Sequence, residues 1–287
     1  MAINGLNLPL LGMGTCYMGE RPEAAEDETG ALLRGLSRGM RLADTAEMYG
    51  DGGSERLIGD IFRRRLARRE DVAVMTKVLP ENSAPPALFE SCDRSLARLG
   101  TDYIDAYLLH WRTGRVRLAE TVRGMEALVR CGKILRWGVS NFDTADMCEL
   151  FALPGGQNCA VNQVMYNLGS RGIEYDLLPW MRARGVAPVA YCPLAQGGRL
   201  ARMGRKFEAS AALAATAKKY GATIYQMMLA FVLRGGDICA IPKAASAAHV
   251  DENAAAPALA RAVSPEDWAA LDAAFPPPTA KMHLDME

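Results

Sequence analysis

Short apolar runs rich in Val, Ile, Leu and Tyr alternate along the chain with stretches whose apolar residues recur at helical spacing. The runs cover 10–15 (LLGMGT), 41–46 (RLADTA), 72–78 (VAVMTKV), 103–111 (YIDAYLLHW), 135–142 (LRWGVSNF), 159–167 (CAVNQVMYN), 186–194 (VAPVAYCPL) and 238–244 (ICAIPKA). Between them, Leu57, Ile58, Ile61, Phe62 and Leu66 share one face of a helix predicted over 54–69, with Ser54 as its N-cap. Phe89, Cys92, Leu96 and Leu99 do the same ahead of Gly100, a glycine placed to end a helix. Further helices are predicted over 118–129, 144–150, 175–184 and 210–220; an extra helical pair spans 209–235, and a last helix spans 264–275.

Strands that alternate with helices call for a parallel sheet covered on both faces. Eight such units in 287 residues, about 36 residues each, are what closing the sheet into a (β/α)8 TIM barrel requires. The other arrangement is an open doubly wound sheet. Against it, no linker-like Pro/Ser/Gly stretch divides the chain, and no G-x-G-x-x-G follows the first run. The expectation is an α/β fold, a single barrel domain over 1–287, with accessory helices and an N-terminal β-hairpin that turns at Asn4-Gly5 and caps the barrel floor.

In a barrel the functional end is where the strands finish. The second run ends in Asp44 with Tyr49 in the loop beyond, the third in Lys77, the fourth in His110 and the fifth in Ser140-Asn141. The sixth carries Gln163, the seventh Tyr191 and the eighth Lys243. Alternation aims Leu42/Asp44, Ala73/Met75/Lys77 and Ile104/Ala106/Leu108/His110 inward, apolar low in the barrel and polar at its mouth. Taken singly, each polar residue has a structural use: Asp44 with Lys77 as an ion pair closing the barrel, His110 as a satisfied core histidine, the amides as partners for loop backbone. Together at one rim, a carboxylate, an ammonium, an imidazole, a phenol and amides are more than a structural barrel calls for.

Composition narrows the chemistry. The 33 Lys+Arg residues balance 33 Asp+Glu, so there is no long-range field for nucleic acid or an anionic membrane, and neither is expected as a partner. No run approaches the ~20 apolar residues of a membrane span, and the N-terminus lacks a signal-peptide pattern, so a soluble cytoplasmic protein is expected. Seven scattered cysteines form no C-x-x-C pair, and the three histidines have no metal-ligand spacing, so neither a disulfide framework nor a metal is expected.

What remains is proton chemistry on a carbonyl. A phenol with a pKa of about 10 is a reluctant donor near neutrality. An ammonium ~4 Å away is worth up to ~4 kcal/mol at an effective dielectric near 20, about three pK units, so Lys77 is expected to bring Tyr49 into range. Asp44 would keep Lys77 charged and oriented, while His110 would aim a substrate oxygen at Tyr49. The accompanying hydride must come from a cofactor. A regulatory barrel that holds the cofactor with slow turnover, and an unrelated barrel hydrolase or isomerase using Asp44 and Lys77, are the competing readings.

The motifs LGMGT (11–15), DTAEMYGDGGSERLIG (44–59), TKV (76–78), DYIDAYLLHW (102–111), GVSNF (138–142), NQVMYN (162–167), YCPL (191–194) and IPKAASAAHVDEN (241–253) resemble those of the NADPH-dependent aldo-keto reductases, in order and over nearly the whole chain. The resemblance implies an oxidoreductase that interconverts carbonyls and alcohols, an aldehyde reductase in type, with Asp44, Tyr49, Lys77 and His110 as its catalytic tetrad. It implies that Ser140, Asn141 and Gln163 hold the nicotinamide carboxamide and that Tyr191 stacks on the ring. Gly14 and Thr15 would meet the nicotinamide ribose, and Leu194 and Gly197 would cover the pyrophosphate. Lys243, His249, Glu252 and Asn253 would recognise the adenosine 2′-phosphate and adenine. A monomer is the expectation from the resemblance.

Two departures shape further expectations. His249 stands where members often carry an arginine, and Ala244 where they often carry Ser or Thr. Loss of a charge-assisted bond of ~1.5–3 kcal/mol relaxes the preference for NADPH, so NADH is also expected to bind, less well. Cys16-Tyr17 replace a frequent tryptophan after Gly-Thr, and only a short tail follows the last predicted helix. An open, shallow pocket for small aldehydes or ketones is therefore expected, walled by Tyr17, Met18, Met48, Tyr49 and Trp111.

Overall fold

The computed structural model describes residues 2–3, 6–198 and 207–286. The chain opens with β1 (Ala2–Ile3) paired antiparallel to β2 (Leu6–Asn7), as the hairpin expectation requires; its turn at Asn4-Gly5 lies outside the described residues. Leu8, just beyond, is buried in the barrel interior with Leu42, Met75 and Leu108, so the segment after the hairpin plugs the floor.

Eight parallel strands then follow in chain order: β3 (Met13–Gly14), β4 (Leu42–Asp44), β5 (Ala73–Val78), β6 (Ile104–Leu109), β7 (Ile134–Ser140), β8 (Val161–Met165), β9 (Ala187–Tyr191) and β10 (Cys239–Ala240). Each pairs with its sequence neighbour. Parallel bridges Leu11↔Ala240 and Gly14↔Lys243 join the last strand to the first and close the barrel. Only glycine fits this seam at position 14, where a Cβ would come within 2.7 Å of the Ile241 carbonyl oxygen.

Helices α1 (Ala25–Ser37), α2 (Gly53–Arg63), α3 (Ala87–Leu99), α4 (Leu118–Arg130), α5 (Thr144–Phe151) and α6 (Leu177–Arg184) follow the first six barrel strands. The short α7 (Ala195–Gly198) lies in the loop after β9; α8 (Ala211–Lys219) and α9 (Ile224–Leu233) form the extra pair, and α10 (Ala247–Ala262) and α11 (Pro265–Ala274) follow β10. Two hydrophobic clusters result. One fills the barrel around Leu42, Met75, Ala106, Leu108, Val161 and Val189; the other lies between strands and helices around Val74, Tyr107, Trp137 and Phe231. Ile104, the first residue of β6, joins the outer cluster rather than the inner face.

The predicted cap at Ser54 is corrected. Gly52, in the left-handed region at φ 76°, precedes α2, and Ser54 sits inside the first turn. Its buried hydroxyl lies 2.7 Å from the Thr15 carbonyl oxygen and 2.6 Å from that of Met18, sharing its one proton between them. Tertiary carbonyls thus outcompete the local cap, and α2 is tied to the loop after β3. The helix stops at Arg63, before Arg65 turns left-handed at φ 56°, which leaves Leu66 exposed rather than on the apolar face.

Candidate active site

The strand periodicity carries the site. Asp44 ends β4, Lys77 lies near the end of β5, His110 directly follows β6, and Tyr49 stands in the loop between β4 and α2. Lys77 is fully buried, and its Nζ donates to both Asp44 carboxylate oxygens at 2.8 and 2.9 Å, to the Thr45 carbonyl at 2.8 Å and to the Tyr49 hydroxyl oxygen at 3.4 Å. The phenol oxygen therefore accepts from an ammonium while its own proton stays available to donate. The Tyr49 ring meets the His110 ring edge-on at 5.8 Å, and His110 packs on Trp111 at 4.9 Å.

The expectation that Lys77 lowers the Tyr49 pKa is reversed by burial of the phenol. Burial pushes the phenol well above its ordinary value, and the Asp44 carboxylate adds to the rise. The reason is geometric: Asp44 sits within 3 Å of the ammonium and neutralises its field before it reaches the phenol. Burial likewise raises Asp44, against the lowering effect of Lys77 and Gln163.

Burial, helped by the Lys77 charge, pushes His110 from 6.5 down to about 2. Among the described residues its Nδ1 is buried without a hydrogen-bond partner. The ring is thus neutral throughout the working range, and with no acceptor to hold a proton at Nδ1 the proton belongs on Nε2. This has a stability consequence with a definite sign. The unfolded chain protonates this histidine near pH 6.5 and the folded chain only near pH 2, so acid favours unfolding. We expect stability to fall by up to about 1.4 kcal/mol per pH unit below about pH 6.5 from this group. Urea unfolding of wild type and His110→Gln at neutral and mildly acid pH checks this: the variant should lose less. A ring that titrates near 6.5 by NMR in the folded protein would overturn it.

Around the mouth, five residues from four strand ends join in one network of hydrogen bonds. The Tyr191 hydroxyl donates to Asn141 Oδ1 at 2.8 Å; Asn141 Nδ2 donates to the His110 carbonyl and to Ser140 Oγ, both at 3.2 Å; Ser140 Oγ donates to the Gln163 carbonyl at 2.8 Å. Asn141 holds a left-handed φ of 61°, which asparagine tolerates better than most residues, and both ends of its amide are engaged. The Gln163 side chain turns inward, its Nε2 2.7 Å from Asp44 Oδ1 and 3.4 Å from Met75 Sδ.

At the barrel edge, Gly14 bridges to Lys243, whose side chain is exposed, and the Thr15 hydroxyl donates to the Asp44 carbonyl at 2.9 Å. Ser246 caps α10, accepting from the His249 backbone N–H, and His249 is exposed on the first turn. Glu252 is half-buried, its carbonyl accepting from Gln226 Nε2, while Asn253 is buried. Leu194 is half-buried, and Ala195, Gln196 and Gly197 all take left-handed conformations in the loop after β9. An exposed ammonium beside a helix N-terminus suits a phosphate.

Of the expected pocket walls, Tyr17 is 65% exposed, Met48 is exposed and Trp111 is half-buried. Met18 is corrected: it is fully buried in the outer core, drawn down by the turn in which its N–H bonds the Thr15 carbonyl. Two features escaped the sequence reading because their partners are distant. Arg112, next to Trp111, forms ion pairs with Asp146 and Glu149 of α5 and fixes that side of the mouth. The tail is anchored: Lys281 donates to Asp176 at 2.7 Å, Ser170 Oγ donates to Asp285, and Leu284 packs on the core, while His283 is exposed. Among the described residues no His/Cys/Asp/Glu group could hold a metal, and no helix is long and apolar enough to cross a membrane.

The chain as a whole is similar to known proteins. The family model for the aldo/keto reductase family matches residues 10–275. The chain is 47% identical to methylglyoxal reductase YeaE of Escherichia coli K12, over 98% of this chain and 96% of that one. It is 30% identical to a glyoxal reductase of Bacillus subtilis, over 88% of this chain and 84% of the relative. An aldo/keto reductase from Klebsiella pneumoniae, solved in complex with NADP and acetate, superposes with a TM-score of 0.92 at 48% identity, covering 98% of this chain and 96% of that one. With its barrel closed and its polar strand ends gathered around Tyr49, the chain belongs to the aldo/keto reductase family.

Proposed function

We propose that this protein reduces small α-oxoaldehydes, and related small aldehydes and ketones, with NADPH. The observation that carries the reading is Lys77 held between the Asp44 carboxylate and the Tyr49 hydroxyl oxygen, beside a neutral His110, at the end of the barrel where function resides. The methylglyoxal and glyoxal reductases among its relatives support the substrate class.

The residues fit a nicotinamide nucleotide. A hydroxyl and two amides at one end (Ser140, Asn141, Gln163) match a carboxamide, Tyr191 offers a ring face, and Gly14 and Thr15, at the end of β3, would lie beside the ribose. Leu194 and Gly197 lie where a diphosphate would pass, and Lys243, His249, Glu252 and Asn253 lie where an adenosine phosphate would rest. When bound, the reduced nicotinamide supplies a hydride to the carbonyl carbon.

The chain's own residues manage the oxygen. His110 donates from Nε2 and orients it; Tyr49 gives its proton to the developing alkoxide, which is far more basic than a phenolate. Lys77 then bonds the phenolate left behind, and Asp44 keeps Lys77 in place. Trp111, Tyr17 and Met48 offer apolar surface for a short carbon chain.

A direct test follows NADPH absorbance over a panel of methylglyoxal, glyoxal, other short aldehydes and one bulky ketone. Turnover of several short carbonyls is expected, fastest with the α-oxoaldehydes; NADPH oxidation with the bulky ketone alone, or with none, would defeat the reading. For the cofactor, Lys243→Ala should weaken NADPH binding by about ten- to a hundredfold and leave NADH nearly unchanged, since only the former carries a phosphate for the ammonium to meet. With histidine at 249, the wild-type preference for NADPH should be modest; a strict NADPH requirement, or tighter NADH binding, would count against this.

A further inference from the structure

We infer that Asp44 has a second role: through Gln163 it is a positioning residue for the cofactor's carboxamide, coupling the proton-donor set to the cofactor seat. The inference rests on the reading of Gln163 as a cofactor contact.

A primary amide has two N–H donors and one carbonyl oxygen. One N–H of Gln163 is bound to Asp44 Oδ1 at 2.7 Å, and the nitrogen lies 3.4 Å from Met75 Sδ, a weak acceptor. A carboxylate only accepts, so the amide cannot turn its oxygen toward Asp44 without setting two acceptors against each other in a buried site. Both the orientation of the amide and the identity of its outward atom are therefore dictated by Asp44. What remains for a ligand is the oxygen Oε1, an acceptor, and it calls for a donor such as the NH2 of a carboxamide.

The rest of the seat is fixed from the other side. Ser140 Oγ is bound to the Gln163 carbonyl, and Asn141 is held by Tyr191, Ser140 and the His110 carbonyl. Among these described seat residues, Asn141 meets only the backbone carbonyl of His110, whereas the Gln163 side chain takes its direction from a catalytic side chain. Facing Asp44 are Lys77 of β5, Gln163 of β8 and the Cys239 thiol of β10, with Tyr49 from the following loop. Among these Lys77 is already saturated by Asp44, Thr45 and Tyr49, so it offers the amide no substitute.

The test compares binding of two oxidised cofactors, NADP and its 3-acetylpyridine analogue, in which a methyl ketone replaces the carboxamide and removes the N–H donors. Binding is read by quenching of protein fluorescence, so no turnover is needed. Wild type should prefer the carboxamide by about tenfold or more. Gln163→Met should erase that preference. Asp44→Asn, whose amide can donate to Oε1 and reverse Gln163, and Asp44→Ala, which leaves it undirected, should each reduce the preference to within about threefold. The Asp44→Ala/Gln163→Met double variant should lose no more than Gln163→Met alone.

If wild type fails to discriminate, or Gln163→Met discriminates like wild type, the cofactor-contact reading itself falls. If Gln163→Met behaves as expected but either folded Asp44 variant keeps the wild-type preference, or the two losses add, the role assigned to Asp44 falls alone. A sharp thermal transition identifies the folded variants, and the two Asp44 substitutions differ enough in chemistry that either suffices. Should neither fold, Met75→Leu, which removes only the weak partner of the amide nitrogen, should leave the preference within about threefold of wild type; its full loss would place the orienting contact at Met75 and overturn the role of Asp44.

Discussion

Tyr49→Phe lowers kcat for a short aldehyde by about a hundred- to ten-thousandfold while NADPH binding stays near wild type. The substitution removes one hydroxyl and leaves the buried ring in place against His110. Lys77 loses only its longest contact, at 3.4 Å, and keeps Asp44 and the Thr45 carbonyl, so the scaffold is little disturbed. The loss therefore belongs to proton transfer. The wild-type pH profile should agree: a proton donor fails only above its own pKa, and since burial and Asp44 push the phenol up, kcat should hold through alkaline pH toward the ordinary phenol value of about 10. Stopped-flow turnover with saturating NADPH checks both. Retained activity in the variant would remove Tyr49 from the mechanism; an alkaline limb below pH 9 would mean that Lys77 acts on the phenol more strongly than Asp44 allows.

Lys77→Met combines a catalytic with a structural loss. Its side chain is completely buried, so the substitution leaves the Asp44 carboxylate with Gln163 as its remaining side-chain donor in a buried site. Breaking a buried pair from one side costs about 3–5 kcal/mol, far more than solvent-exposed pairs such as Arg68–Glu70 contribute. For a chain of this size that lowers the unfolding temperature by roughly 10 °C. Turnover should fall about a thousandfold as well, since no cation remains to bond the phenolate. Calorimetry separates the two effects from a rate measured well below the transition. Lowering the pH should partly restore stability in the variant, because Asp44, already raised by burial, escapes its penalty by taking up a proton. Wild-type stability in the variant would mean that the pair contributes nothing net to the fold.

Much of this was legible in the sequence because barrel strands impose strict alternation and place their last residues at one rim. Leu42 with Asp44 and Met75 with Lys77 declared an inward face by type alone, and those four side chains do line the interior. The eight runs were likewise recovered, though trimmed: only Met13–Gly14 of 10–15 and Cys239–Ala240 of 238–244 are regular strand, since the seam between them is held by single bridges. What escaped were choices made by partners far along the chain. Ser54 reads as a cap until the Thr15 and Met18 carbonyls claim it, and Met18 reads as a pocket wall until the turn buries it. The direction of the Gln163 amide is set across 119 residues by Asp44. The upward direction of the Tyr49 pKa also needed coordinates, because it comes first from burial of the phenol and then from the Asp44 carboxylate nearby.

The contrast in burial between the two ends of the site bears on how such an enzyme changes over evolutionary time. Asp44 and Lys77 lie in a packed interior where almost any replacement is felt by the whole domain, while Lys243 and His249 are exposed at the barrel edge, where substitutions usually shift stability by no more than about 0.5 kcal/mol. On the proposed function, the chemistry is locked to folding whereas the choice between NADPH and NADH is not: single surface replacements at Lys243 or His249 would alter it without passing through unfolded intermediates.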